Sequence, residues 1–265
     1  KDGKLFGLGS NDAGGCLVSL LATFVHFYAH ENLPYNIVIV ASAEEESSGK
    51  NGLNSVLQHL PVLDCAIVGE PTLMQLAIAE KGLLVLDVKV KGTASHAAHQ
   101  NDDNSIYNAI PVMQWFKTFE FDKISEQLGP VKMTVTQISA GKQHNVVPSE
   151  CDLVIDIRVN DCYSNPEILA IVKKHVAAQI TPRSMHLNAS SIPATHGLVQ
   201  AGIALGRTTY GSPTLSDQSV LSCQSLKLGP GETLRSHSAN EFIYLHEIEE
   251  GIQLYIKILT DFFKQ

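Results

Sequence analysis

At 265 residues, with 27 acidic side chains against 19 Lys and Arg, a formal net charge of −8 and a pI near 5.7, the chain has an ordinary globular composition and room for one large domain or two modest ones. The acidic balance argues against nucleic acid or an anionic membrane as partner and leaves small molecules as the expected ligands. Five cysteines (Cys16, Cys65, Cys151, Cys162, Cys223) are odd in number, widely spaced and mostly set in apolar runs, which fits reduced core thiols in a reducing, cytoplasmic setting better than a disulfide frame.

The apolar stretch from Cys16 to Tyr28 is broken by Ser19, Thr23 and His26 and is too short to cross a bilayer, so it reads as a buried helix. The spacing of Leu17, Leu20, Leu21, Phe24, Val25 and Tyr28 predicts that helix over residues 14–31, followed by a strand at 37–41, a helix near 51–60 and a second buried strand at 65–68. In such a βαβ pattern the functional loops lie at the carboxyl ends of parallel strands, where Glu44, Glu45, Glu46 and Glu70 stand. Asp12, in the loop opening the first helix, can point into the same crevice. The chain opens on Lys1 rather than Met, from which it is expected to begin partway into a longer protein.

From about Glu80 the texture changes. Leu84, Leu86, Val88 and Val90 alternate as in a half-buried strand. A helix near 104–119, strands at 132–138 and 151–159, a helix opened by Pro166 and running from 165 to about 180, and a short strand near 185–189 follow. After Ser191 the α/β texture returns, with a helix near 198–205, a strand at 225–228 and a terminal helix over 246–263. The expected fold is therefore α/β: a mixed, mostly parallel sheet domain formed by residues 1–80 and 191–265, with a ferredoxin-like βαββαβ domain, residues 81–190, inserted into it.

The run Ile37 to Ala43 leads straight into Glu44-Glu45-Glu46. Three carboxylates at the mouth of an apolar layer repel one another and raise one another's pKa unless a cation compensates them, and a divalent metal is the simplest such cation. Asp12, Glu45, Glu46, Glu70 and His237, each in a turn beside a predicted element end, supply the oxygen and nitrogen donors that zinc accepts, and two zinc ions sharing a bridging carboxylate would neutralise much of this charge. Three of them also have a plain structural reading: Asp12 as a helix N-cap, Glu70 as a turn residue in Gly69-Glu70-Pro71-Thr72, His237 as a solvated loop histidine. On the strand 151–159 alternation puts Val154, Asp156 and Arg158 on one face, so Arg158 can either grip a substrate carboxylate through two parallel hydrogen bonds or pair with an acid of its own sheet such as Asp156.

A set of motifs occurs in order: Gly7-Leu8-Gly9-Ser10-Asn11-Asp12, Ala43-Glu44-Glu45-Glu46, Gly69-Glu70-Pro71-Thr72, Gly92-Thr93-Ala94-Ser95-His96-Ala97-Ala98, Asn145-Val146-Val147-Pro148, Asp156-Ile157-Arg158, and Gly229-Pro230-Gly231 through His237 to Asn240-Glu241. Together they resemble the zinc-dependent aminoacylase and carboxypeptidase family that includes acetylornithine deacetylase, succinyl-diaminopimelate desuccinylase and carboxypeptidase G. The resemblance implies that Asp12 bridges two zinc (or cobalt) ions, with Glu70 on one and Glu46 and His237 on the other. It makes Glu45 the general base, with Glu44 where the family usually has Asp. A one-residue slip, with Glu44 as base and Glu45 as ligand, stays open. It also implies that His96 donates to the developing oxyanion, in relatives at the partner subunit's site, and that Asn145 and Arg158 hold the substrate's α-carboxylate. The inserted domain would be a lid that also forms a homodimer. The loops Thr214-Leu215-Ser216-Asp217-Gln218 and Gly229-Pro230-Gly231-Glu232 are expected to line the cleft.

Two departures qualify the match. None of the eleven histidines is followed two residues later by Asp, so the family's His-x-Asp motif is missing and the metal served by Glu70 keeps only Asp12 and Glu70. Ala13-Gly14-Gly15 also lacks the lysine that relatives often carry after the bridging Asp. The implied activity is removal of an acetyl or succinyl group from an N-acyl amino acid. Acetylornithine deacetylation in arginine biosynthesis is the first expectation; succinyl-diaminopimelate desuccinylation, dipeptide hydrolysis and a metal-free binding or dimerisation protein are the alternatives.

Overall fold

A computed structural model describes residues 1–47, 49 and 51–265, and the chain folds as two units, Lys1–Glu80 with Ser190–Gln265 and Lys81–Ala189.

The first unit begins with β1 (Lys4–Phe6), α1 (Gly15–Tyr28), α2 (Leu53–Leu57), β2 (Cys65–Val68) and β3 (Leu76–Glu80). The buried face of α1 is Cys16, Ser19, Thr23 and Phe27, with the Ser19 and Thr23 hydroxyls donating to the carbonyls of Gly15 and Ser19, each at 2.8 Å. These internal bonds give the two buried hydroxyls their hydrogen-bond partners. The helix is apolar all round, and its other face stays open: Val18, Val25 and Tyr28 are exposed.

The strand expected at 37–41 does not form. Ile37 to Val40 are half-buried or exposed, and no described strand pairs with them. An extended segment becomes a strand only when a neighbour takes up its backbone N–H and C=O groups, and no described segment does so here. The predicted helix at 51–60 shortens to α2.

The second unit contains β4 (Gly82–Lys91), β5 (Ser95–His96), α3 (Ser105–Thr118), β6 (Lys132–Ala140), β7 (Val146–Val147), β8 (Glu150–Val159), α4 (Asn165–His175) and β9 (Gln179–Pro182). Its antiparallel sheet runs β6-β8-β4-β9. Alternate residues of the two central strands, Leu84, Leu86, Val88 and Val90 with Leu153, Ile155, Ile157 and Val159, are buried with Ala109, Val112 and Phe116 of α3 and Ile168 and Val172 of α4. Asn104 and Ser164 cap the two helices, Ser164 in a reciprocal capping box with Glu167. The helix expected to run to 180 stops at His175, and the last strand is β9 rather than 185–189. Pro182 disfavours helix at the residue before it, and residues 179–182 instead pair with β4.

The first unit resumes with β10 (Ser190–Ser191), α5 (Gly197–Ala204), β11 (Thr209–Ser212), β12 (Gln224–Lys227), β13 (Phe242–Tyr244) and α6 (Leu245–Phe262). Its main sheet is mixed: β12 pairs with β2 and β11 with β3 in parallel, while the shorter β10–β3 and β12–β3 ladders are antiparallel. The core is Leu76, Ile78, Leu198, Val199, Leu226, Leu228, Tyr255 and Ile258. β2 and β12 carry their following turns, Gly69-Glu70 and Gly229-Pro230, to the same end of this sheet, and Thr72 and Gly229 exchange hydrogen bonds there.

Candidate metal centre

Three side chains from distant parts of the first unit meet at one point. Asp12 lies in the irregular turn Ser10–Gly14, with φ −120° and ψ 94°, immediately before α1. Glu46 comes from the single turn Glu45–Ser47, and His237 follows the short turn Thr233–Arg235. His237 Nε2 is 3.6 Å from Asp12 Oδ2 and 3.6 Å from Glu46 Oε2, and the three ligand atoms lie within 4.8 Å of one another.

These separations are too long for hydrogen bonds. The donors therefore face a common space rather than bonding one another. The set fits a divalent cation: two carboxylate oxygens and an imidazole nitrogen, with no Lys or Arg paired to Asp12 or Glu46 among the described residues. Zinc with ligands at roughly 2.0–2.1 Å sets adjacent donor atoms about 3.4 Å apart, close to the 3.6 Å from His237 to each of the two carboxylates.

The backbone is bent to reach this arrangement. His237 has φ +55° and Glu44 φ +61°, a left-handed conformation that costs a non-glycine residue about 1–3 kcal/mol and persists where surrounding contacts enforce it. Glu44 turns its carboxylate to Asn51, accepting from the backbone N–H at 3.1 Å and from Nδ2 at 3.2 Å. Of the three consecutive glutamates, Glu46 is the one in the cluster.

Burial pushes the Glu45 carboxyl up to about 7, with Glu46, Asp217 and Asp12 adding to the effect and Lys227 opposing it. Burial likewise pushes Glu70 up to about 8, against the pull of Lys227 and with help from Asp12, Glu45 and Glu80. A carboxyl poised near 7 can take and return a proton at neutral pH. Glu70 is thus electrostatically part of the same group, although it stands outside the three-residue cluster.

The remaining expected site residues, His96, Asn145 and Arg158, belong to the second unit. His96 lies in β5 opposite Val146 of β7; its Nδ1 accepts from the Ala98 N–H at 3.1 Å, and the Asn145 carbonyl accepts from Ala97 at 2.9 Å. Arg158 donates Nε to Asp156 Oδ1 at 2.8 Å and Nη2 to Oδ2 at 3.0 Å, the same-face ion pair that alternation allowed.

Sequence reasoning missed a buried pair. Lys227 Nζ, 3% exposed, is 3.1 Å from Glu80 Oε2 and also donates to the Thr214 carbonyl at 3.0 Å, while Ser216 donates to Glu80 at 2.8 Å. Lys227 is the cation that opposes the rise of both Glu45 and Glu70. The signal was present in two charged residues set against apolar ones: Glu80 at the end of Leu76 to Ala79, and Lys227 between Leu226 and Leu228. Asn11 and Glu241, whose contacts are taken up below, also stood in the motifs without a role.

A mixed α/β unit, interrupted by a sheet-and-helix insertion, thus gathers at its loops two carboxylates and an imidazole, the donor set that a divalent metal needs. Residues 78–182 match the family model described as the peptidase dimerisation domain of M20 proteins. The chain is 24% identical over 291 aligned positions to succinyl-diaminopimelate desuccinylase 2 of Ruegeria sp. (strain TM1040), covering 99% of the chain and 73% of that protein. It is 31% identical to succinyl-diaminopimelate desuccinylase of Buchnera aphidicola over 65% of the chain and 50% of that protein. In fold it resembles a tripeptidase from Staphylococcus aureus, with a TM-score of 0.76 at 18% identity, covering 100% of this chain and 75% of that one. The chain thus spans between half and three quarters of these relatives. The chain is thus similar to M20 peptidases and desuccinylases, and residues 78–182 carry the pattern of their dimerisation domain.

Proposed function

We propose that the chain acts as an M20 amidohydrolase on an N-acyl amino acid, with Asp12, Glu46 and His237 holding one zinc or cobalt ion, Asp12 and Glu70 reaching a second, and Glu45 serving as general base. The observation that carries this is the meeting of Asp12, Glu46 and His237 within 4.8 Å. Bound metal would supply Lewis acidity for the acyl carbonyl. Glu45, beside the cluster, takes a proton from the attacking water and returns it to the departing amine. The placing of Glu44 on Asn51 supports this register over the slipped one.

His96 is proposed as a donor to the developing oxyanion, and Asn145 and Arg158 as the hold on the substrate carboxylate. For Arg158 this requires exchanging or sharing its bond to Asp156. Residues 81–190 are proposed as the lid and homodimer domain, supported by the family model over 78–182. No helix is long and apolar enough to cross a membrane; a cytoplasmic setting is proposed from the cysteines.

For the acyl group two readings stand. The motif wording favours acetylornithine deacetylase, in arginine biosynthesis; the names of the curated relatives favour succinyl-diaminopimelate as substrate. Turnover of N-acetylornithine, N-acetylcitrulline, N-succinylornithine and N-succinyl-diaminopimelate, measured beside metal content after zinc incubation, separates them. Zinc bound with turnover of one of the four is expected; no zinc retained would end the enzyme reading and leave a metal-free binding module.

A further inference from the structure

Asp12 and His237 are 225 positions apart in sequence, and the cluster exists only if their two loops are held in fixed register. The residues beside them do this. Asn11 is fully buried, and its backbone N–H and that of Asp12 both donate to Glu241 Oε1, each at 2.9 Å. The Asn11 side chain donates to the Glu232 carbonyl at 3.0 Å and to Ser236 Oγ at 3.2 Å, and its oxygen accepts from the Glu232 N–H at 3.1 Å. The Asp12 loop is therefore tied to the His237 loop on both sides of the histidine, through Glu232 and Ser236 before it and Glu241 after it. Gly231, at φ +88°, makes the approach possible, since a Cβ there would lie 2.5 Å from Asn11 Oδ1.

Glu241 is a buried carboxylate, and no Lys or Arg pairs with it among the described residues. Its hydrogen-bond donors are the backbone N–H groups of Asn11 and Asp12. Burying a charge without a cationic partner is costly, and backbone dipoles from one loop are what compensate it.

We propose that Asn11 and Glu241 form a clamp that sets the spacing of Asp12 and His237, and are thus positioning residues for the metal centre; this rests on the metal-site reading above. Partners one step removed from a metal change its affinity about 10–100-fold when removed. The test is zinc affinity by competition with a chromophoric chelator, for the whole chain and for Glu241→Ala, Glu241→Gln, Asn11→Ala and the ligand control Asp12→Ala, beside the thermal midpoint of each metal-free protein. Glu241→Ala and Asn11→Ala should each weaken zinc by roughly 10–100-fold, and Glu241→Gln, which keeps an acceptor oxygen in place, should retain most of the affinity. Parental affinity in both alanine variants, even with a lowered midpoint, would overturn the clamp, as would a glutamine variant as weak as the alanine one. Parental affinity in Asp12→Ala would instead overturn the metal-site reading itself.

Discussion

Glu45 and Glu46 are neighbours with different proposed tasks: the Glu46 side chain joins Asp12 and His237, and Glu45 stands half-buried beside them without joining. Glu45→Gln keeps the volume and removes the proton acceptor, so turnover should fall about 10²–10⁴-fold with metal content unchanged. Loss of metal instead would mean that Glu45 is a ligand. The same environment makes the metal-free protein sensitive to pH. Glu45 and Glu70 bind protons more tightly in the folded chain, at about 7 and about 8, than at their ordinary 4.5. Between those values the folded state holds more protons than the unfolded one, so stability falls as pH rises from 4.5 to 8; the penalty is absent below that window and complete above it. The urea midpoint of chelator-treated protein should be lower at about pH 8 than at about pH 5, and added zinc should reduce the difference, because metal favours the ionised carboxylates. A midpoint that is flat or rises in the metal-free protein would contradict the two shifts.

Elements with a strong local signature were legible in the sequence. The alternation in β4 and β8, the Ser164 cap with Pro166 in α4, and the apolar stripe of α6 each state their structure locally. Those that depend on a partner were not. Residues 37–41 have the composition of a buried strand but no described strand beside them, whereas Leu76 to Glu80, a short apolar run without alternation, becomes the fully buried β3 because strands pack against it from several directions. Gly82, which opens β4, is held to its size by tertiary approach: a Cβ there would lie 2.5 Å from the Ala189 nitrogen and 2.9 Å from the Leu187 carbonyl oxygen. Both contacts are backbone and cannot rotate aside. Gly82→Ala should destabilise the second unit by about 1–3 kcal/mol, read from its denaturant midpoint. A variant as stable as the parent would show that this backbone yields more easily than its packing suggests.

For the molecule as a whole, the proposed homodimer makes a prediction that does not depend on the metal. If residues 81–190 carry self-association, light scattering should give twice the chain mass both with zinc and after chelation. A monomer at micromolar concentration in both states would remove that assignment. The acidic net charge and the candidate ligand types were properties of the sequence alone, as was the ordered set of motifs that led to the family, because each is written in composition or in short local stretches. Which glutamate of Glu44-Glu45-Glu46 meets Asp12 and His237, that Arg158 closes on Asp156, and that Asn11 and Glu241 join loops 230 positions apart were decided only by the tertiary structure. Periodicity and spacing describe a chain's near neighbours; burial, left-handed turns and hydrogen bonds across the fold choose among chemically equivalent side chains, and those choices exist only after folding.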